Sequence, residues 1–253
     1  MNKESGYKDL RSGIRQNCDE KLTISYQYYD DYEALKRFLS EVSKYKEKNI
    51  PVKIQIVDDC SKNFPLDNYI DCLVNLNIKA YRIVDDIAWN QAGARNLNAY
   101  LCDTKWNIFT DMDHIFNFEM LTLLLEKKKA HFFSSANLYT FARRDTSGKK
   151  LTPHVNTYMI NNNVFRHLGG IDEDFVGQYG FEDKFFIENA KILGINKIEV
   201  SSIETELFTG KSGNQQQEIL RDRNRNENLY KAKMDQALFR SFLNLRFSYY
   251  KLC

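Results

Sequence analysis

The chain has 253 residues, 43% of them hydrophobic and 28% charged, with only 11 Gly and 3 Pro; such a chain can bury a full core and is neither a disordered polymer nor a collagen-like repeat. Lys+Arg 36 against Asp+Glu 34 leaves a net charge of +2, too small for bulk electrostatics to hold a nucleic acid. No apolar run approaches the ~20 residues of a bilayer-spanning helix and the polar start MNKESGYKDL lacks the apolar stretch of a secretory signal, so a cytoplasmic setting is expected.

The five cysteines, Cys18, Cys60, Cys72, Cys102 and Cys253, are scattered without a CxxC pair and read as reduced thiols. Leu22, Ile24, Tyr26 and Tyr28 alternate as in a strand, then Tyr32, Leu35, Leu39 and Val42 recur at helical spacing. After Pro51 the β-branched run Val52 to Val57 predicts a second strand that stops at Asp58-Asp59-Cys60-Ser61. A helical stretch over 69–76, a strand over 78–84, a helix over 92–101 and a strand over 106–110 follow, the last ending at Asp111-Met112-Asp113. Strands alternating with helices at this spacing make βαβ units, which wind into a mostly parallel sheet covered by helices. Ligands on such sheets sit beyond the carboxyl ends of the strands, so Asp58-Asp59 and Asp111/Asp113 are expected to face one crevice.

The second half is less regular. It reads as a strand region over 130–141, a hairpin tip at Asp145-Thr146-Ser147-Gly148, a short apolar core at Tyr158 to Ile160, a glycine-rich loop over 169–180, a helix over 182–193 and a strand over 197–201. Residues 204–228 are polar and read as a loop or lid. The tail from Leu229 reads as a basic, aromatic helix carrying Phe239, Phe242, Leu245, Phe247, Tyr249 and Tyr250. It could pack back on the domain, lie on a membrane surface or dock a partner.

Two carboxylates one residue apart at a strand end, Asp111 and Asp113, form a hard oxygen site suited to Mg²⁺ or Mn²⁺, although a DxD alone also fits solvated loop acids. The stretch GGIDEDFVGQYGFEDKFF, residues 169–186, joins glycines that allow close backbone approach to acids that open a helix at Glu182-Asp183. With no partner motif, those two acids would simply cap that helix.

Five stretches in order, LTISYQYYDDYEAL, IQIVDDCS, AGARNLNAY, IFTDMDH and GGIDEDFVGQYGFEDKFF, resemble the inverting family 2 glycosyltransferases of the GT-A fold, with a second half similar to the galactosyltransferase-like module. The resemblance covers roughly residues 21–205. It implies an α/β fold, a Rossmann-like, mostly parallel twisted sheet flanked by helices with a C-terminal helical appendage. The implied domains are an N-terminal extension (1–20), the glycosyltransferase domain (21–210) and a C-terminal loop and basic aromatic helix (211–253).

The same resemblance implies transfer of a sugar from a nucleotide-sugar, UDP-linked, to a glycan or lipid-linked glycan acceptor, with Mn²⁺ or Mg²⁺ and no nucleic acid. It places Tyr28, Tyr29 and Asp30 beside the base, Asp59 on the base edge, and Arg95 toward the diphosphate. Asp113 becomes the direct metal ligand and Asp111 a contact to ribose or to the metal's water shell. Asp183 becomes the general base, Glu182 positions the acceptor, and Trp89, Gly170, Tyr179 and Gly180 line the sugar or acceptor pocket. A peripheral membrane contact through the C-terminal segment would place the chain at the inner face of a membrane. The alternative is an inactive module of the same fold that binds nucleotide-sugar or glycan.

Three features depart from the pattern. Cys60 stands where Gly is usual, Gln27 stands where Pro is common, and no histidine follows Asp183 to complete a metal site. Glu204, Glu206 or water are the expected substitutes. Strand alternation turns His114 away from Asp113, His131 and His167 read as structural, and His154 is left open.

Overall fold

The computed structural model describes residues 19–208, 222–236 and 245–253. The first half alternates as the periodicity predicts: β1 (Asp19–Tyr28), α1 (Tyr32–Glu47), β2 (Val52–Asp58), α2 (Ile70–Asn75), β3 (Ile78–Ile83), α3 (Gln91–Leu101) and β4 (Thr104–Asp111). Then come β5 (His114–Ile115), α4 (Phe118–Lys129), β6 (Asn137–Asp145), β7 (Lys150–Leu151), β8 (Tyr158–Asn161), α5 (Asn162–His167), α6 (Glu182–Ile192), β9 (Asn196–Leu207), α7 (Asn224–Asp235) and β10 (Tyr249–Lys251). The strands form one sheet in the order β10-β3-β2-β1-β4-β8-β6-β9-β5, with β7 pairing off β6. Its centre, β3-β2-β1-β4, is parallel, whereas β8 runs antiparallel to β4 and to β6. This is a mixed α/β architecture with a mostly parallel centre flanked by helices, as the resemblance implies.

Each face of the sheet carries its own core. On one, Tyr26, Phe38, Val42, Phe116, Leu121 and Leu124 join α1 and α4 to the strands; on the other, Ala92, Phe109, Phe165, Ile171 and Phe186 do the same for α3, α5 and α6. Helix α1 starts where Asp31 accepts a hydrogen bond from the Ala34 amide at 3.0 Å, and it buries Leu35, Phe38, Val42 and Tyr45 along one stripe. The α3 face also contains a polar layer. Ser25 Oγ donates to Asn107 Oδ1 at 2.8 Å and Gln55 donates to Asn98 at 2.9 Å, so these buried groups are paired rather than orphaned. Arg166, on α5, caps the C-terminal end of α3 by donating to the carbonyls of Ala99, Tyr100 and Cys102, where a cation meets the negative end of the helix dipole.

Three sequence expectations change. The strand expected from residue 130 starts at Asn137, because 118–129 is the helix α4, capped by Asn117 and burying Leu121 and Leu124. Residues 204–207, read as loop, extend β9 past an irregularity at Phe141/Ala142; their acids are paired with arginines, Glu204 with Arg144 and Glu206 with Arg37. The C-terminal part does contain a helix, α7, but the chain ends as a strand. Leu245, Phe247 and Tyr249 alternate rather than follow a helical spacing, and they bury against Val57, Ile83, Ala94 and Leu97 while β10 closes the β3 edge. These three side chains are committed to the core and are not a membrane-facing surface. Phe239 and Phe242, like Cys18 and the N-terminal extension through residue 18, lie outside the described residues. Cys60, Cys72, Cys102 and Cys253 are free thiols, and among the described residues no helix is long and apolar enough to cross a membrane.

Candidate active site

The carboxyl ends of β1, β2 and β4 open onto one crevice, and the acid pairs there divide their labour. Asp58 is fully buried and structural: it accepts from the amides of Ser61 and Leu66 and pairs with Arg82 at 2.8 Å. Asp59 faces a cavity of about 280 Å³ lined by Tyr29, Lys62, Asp86, Ile87, Ala88, Trp89 and Gln91. Burial pushes the Asp59 carboxyl up to about 7, against a hydrogen bond from Asn90 at 3.0 Å. Tyr28 and Asp30 do not line this cavity. Tyr28 is buried with its hydroxyl on the Phe64 carbonyl, and Asp30 spends its carboxylate on the amides of Lys62, Asn63 and Phe64. Both shape the 61–64 loop that carries Lys62.

Asp111, at the end of β4, is held by three hydrogen bonds and has an imidazole close by. Arg95 donates to it at 2.9 Å, Asn156 donates at 3.2 Å, Gln27 donates to it as well, and His154 Nδ1 lies 3.6 Å away. Burial alone would raise its carboxyl, but Arg95, His154 and His114 bring it below its ordinary value. Gln27, which departs from the expected proline, therefore supplies a donor that proline could not.

Arg95 does not face the crevice. Its guanidinium is fully buried beneath it, with one terminal nitrogen on Asp111 and the other on Asp183 at 2.5 Å. The residue expected at the diphosphate is instead the bridge between the β4 terminus and α6. Its helix approaches so closely that a Cβ on Gly93 would stand 2.2 Å from Asn90 Oδ1 and 2.6 Å from the Phe247 ring, which explains the glycine of AGARN by space alone.

Asp183 and Glu182 occupy the first turn of α6 behind Phe181, whose φ of 73° is left-handed for a residue with a side chain. The Phe181 ring packs on Tyr230 of α7 at 5.5 Å. The Asp183 side chain is only 11% exposed, less solvated than a free aspartate base. Burial raises its pKa and Arg95 opposes the rise. Glu182 is pushed up to about 8 by burial and then by the Asp183 charge, and its buried Oε2 has no hydrogen-bond partner.

The glycine-rich loop before α6 is fixed from two sides. Gly177 donates its amide to the Ala88 carbonyl at 2.9 Å, and Trp89 and Tyr179 pack with ring centroids 4.7 Å apart, so the sequence-predicted pocket residues Trp89, Tyr179 and Gly180 share one rim. From α7, the buried Asn226 donates to the carbonyls of Phe175, Gln178 and Gly180, while Lys233 pairs with Asp172 and Asp174. Gly170 is buried at φ 71° and acts in the turn rather than at the rim.

Three metal-ligating groups converge within 4.8 Å of one another: Asp111, His114 and His154. Asp113 stands beside them, accepting from His114 Nδ1 at 2.6 Å. Alternation fails here because Met112-Asp113 form a turn between β4 and β5. The two imidazoles stack with centroids 4.2 Å apart, and His154 is pushed down to about 4 by burial, so it is neutral near pH 7. Its Nδ1 is buried without a hydrogen-bond partner. A neutral imidazole with an orphaned nitrogen beside an ionised carboxylate fits a divalent cation. Glu204 and Glu206 are spent on Arg144 and Arg37, and His131 and His167 are exposed outside this cluster.

The buried acids give stability a definite pH dependence. Asp59 and Glu173 at about 7 and Glu182 at about 8 lie above their ordinary 3.8, 4.5 and 4.5, so their contribution is complete below the ordinary values and is lost progressively as pH rises from those to the raised ones. His154 has the opposite sign, losing its contribution as pH falls from 6.5 through about 4, and it is silent above 6.5. Stability, followed by the thermal midpoint, should therefore fall between pH 6.5 and 8, by up to about 1.4 kcal/mol per pH unit from Glu182, with Asp59 and Glu173 completing their loss near pH 7. A midpoint rising over that window would contradict these placements.

The glycosyl transferase family 2 profile matches residues 24–180. The chain belongs to that family. Among curated protein sequences none matches it. Solved structures share its fold: S. aureus TarS residues 1–349 in complex with UDP-GlcNAc (TM-score 0.62, 14% identity, 76% of this chain and 59% of that one); GalNAc-T7 with UDP, GalNAc and Mn²⁺ (0.57, 16%, 77% and 44%); and a Pyrobaculum calidifontis mannosyltransferase with GDP-Man and Mn²⁺ (0.59, 12%, 81% and 64%). The chain thus spans about 59% of the TarS fragment. In this member of the family the Asp111 strand end and the first turn of α6 meet through Arg95.

Proposed function

We propose that this glycosyltransferase moves a sugar from a nucleoside-diphosphate sugar, UDP-linked, to a glycan hydroxyl with inversion at the anomeric carbon. The observation that carries this reading is the Asp111–Arg95–Asp183 bridge, which sets an acid of the strand end and an acid of the helix on opposite terminals of one guanidinium. Tyr29 and Asp59 would receive the base in the 280 Å³ cavity, Asp59 accepting from a ring N–H. Asp111 and His154, with Asp113 and its partner His114 beside them, would hold a divalent cation; an imidazole among carboxylates suits Mn²⁺ better than Mg²⁺, which prefers oxygen ligands. When bound, the cation offsets charge growing on the departing diphosphate. Asp183 would take the proton of the attacking hydroxyl, with Arg95 keeping its carboxylate ionised and aimed. Trp89 and Tyr179 would offer aromatic faces to the sugar or acceptor. TarS, GalNAc-T7 and the mannosyltransferase, which bind UDP-GlcNAc, UDP and GDP-Man, support a nucleotide-sugar donor.

The test is a donor screen by thermal shift. UDP-GlcNAc, UDP-Gal, UDP-Glc and GDP-Man are each added with Mn²⁺, and release of free nucleoside diphosphate is followed in parallel. A true donor at 100 times its Kd should stabilise the fold by about 2.7 kcal/mol and be turned over slowly by water. Stabilisation without turnover, with or without a glycan acceptor, would mark a binding module; no response to any nucleotide would refute the reading.

A further inference from the structure

Burying Arg95 beneath the crevice leaves the diphosphate without the cation that the sequence assigned to it, and a different arginine stands beside the Asp111, His114, His154 cluster. Arg143 lies on β6, two strands from β4 in the sheet. Its Nη1 is 3.2 Å from His114 Nε2, the imidazole whose other nitrogen is on Asp113 and whose ring stacks on His154. The guanidinium therefore sits directly on the rim of the Asp111, His114, His154 cluster. By contrast, Arg144 on the same strand pairs with Glu204, and Arg37 on α1 pairs with Glu206. Arg143 has no carboxylate within ion-pair distance among the described residues, and its Nε is buried with no hydrogen-bond partner. A half-buried guanidinium with an unspent donor and only the nearby charge of Asp113 to balance it is costly unless an anion completes it.

We infer that Arg143 is the diphosphate-binding cation of this site, donating to phosphate oxygens of the nucleoside diphosphate from the side opposite Asp111. This rests on the nucleotide-sugar reading above and deepens it by assigning a residue outside the sequence motifs. A planar guanidinium suits the task, since its fork presents parallel donors to phosphate oxygens. The site would then hold a permanent positive charge next to an exchangeable one. Arg143 attracts the diphosphate whether or not a divalent ion is present, while its charge repels that ion until a diphosphate arrives. Ion and diphosphate should consequently bind with positive coupling, each tightening the other.

The experiment is calorimetric titration of the intact chain and of the variants Arg143→Gln and Arg143→Lys with UDP, GDP, UMP and uridine, in EDTA and again with Mn²⁺. Thermal midpoints confirm that each variant is folded. Arg143→Gln should lose about 10- to 100-fold in UDP affinity in EDTA, with uridine affinity unchanged, and Arg143→Lys should recover part of the loss. If Arg143 only orients His114, the glutamine variant would bind UDP in EDTA as tightly as the unaltered chain, and the inference falls while the nucleotide-sugar reading stands. Equal losses for uridine and UDP would also overturn it, as a general distortion of the crevice. If the unaltered chain binds neither UDP nor GDP under either condition, the nucleotide-sugar reading itself fails and takes this inference with it.

Discussion

Asp183→Asn is expected to lower the transfer rate by about three orders of magnitude, within the 10²- to 10⁴-fold range of a lost general base, while the KM for donor stays within about twofold. The substitution keeps an oxygen that can accept from Arg95 Nη1, now 2.5 Å from the carboxylate, so the bridge to Asp111 is weakened rather than severed. What disappears is the capacity to take a proton from the attacking hydroxyl. Because burial raises the Asp183 pKa, the unaltered enzyme should gain activity as pH rises through that ionisation. The asparagine variant's residual rate should lack that limb. Steady-state kinetics with a donor found by the screen, across pH 5 to 9, measures both. A variant within tenfold of the unaltered rate, or one that keeps the same pH limb, would place the base elsewhere.

Much of this arrangement was legible in the sequence, and the parts that were not share a cause. The alternation of Leu22 to Tyr28 and the β-branched run from Val52 mark central strands whose residues are buried on both faces, and the acids that end them reveal the crevice because chain topology alone brings strand ends together. Gly93 and Asp183 could be placed from local motifs. Arg95 could be located but not understood: sequence shows a cation near the crevice, not that both of its terminal nitrogens are taken by carboxylates 16 and 88 residues away. His154, Asn156 and Arg143 sit in or beside the β6 to β8 excursion, and nothing in their neighbours announces that antiparallel pairing with β4 will carry them to Asp111. A hydrophilic His-x-Asn just before the buried Tyr158 to Ile160 was the available signal. The C-terminal tail was misread for a different reason. Its aromatic residues are dense enough to fit a helical stripe, and only the two-residue spacing of Leu245, Phe247 and Tyr249 betrays the strand that an open sheet edge selects.

Arg95→Met tests the bridge more severely, because it removes the cation while roughly preserving volume. Two carboxylates, those of Asp111 and Asp183, would then face each other near the crevice floor without the charge that separates them. Breaking a buried ion pair from one side costs about 3–5 kcal/mol, which for a chain of this size is roughly 10 °C in thermal midpoint. Transfer should fall at least as far as in Asp183→Asn, since the base loses both its aim and its ionisation. The sign of the pH effect separates this from ordinary loss of packing. Without Arg95 both carboxyl pKa values rise, and stability held by a raised acid is lost as pH increases, so the deficit should be largest near pH 8 and shrink toward pH 5. Adding Asp183→Asn to Arg95→Met removes one of the unpaired charges and should restore part of the midpoint, a coupling that independent sites would not show. Arg95→Lys should rescue little, for a single ammonium cannot reach both partners with the fork that a guanidinium provides. Should the deficit prove the same at every pH and additive in the double variant, Arg95 would be a packing residue, and the link between the strand end and the base would have to be sought in other side chains.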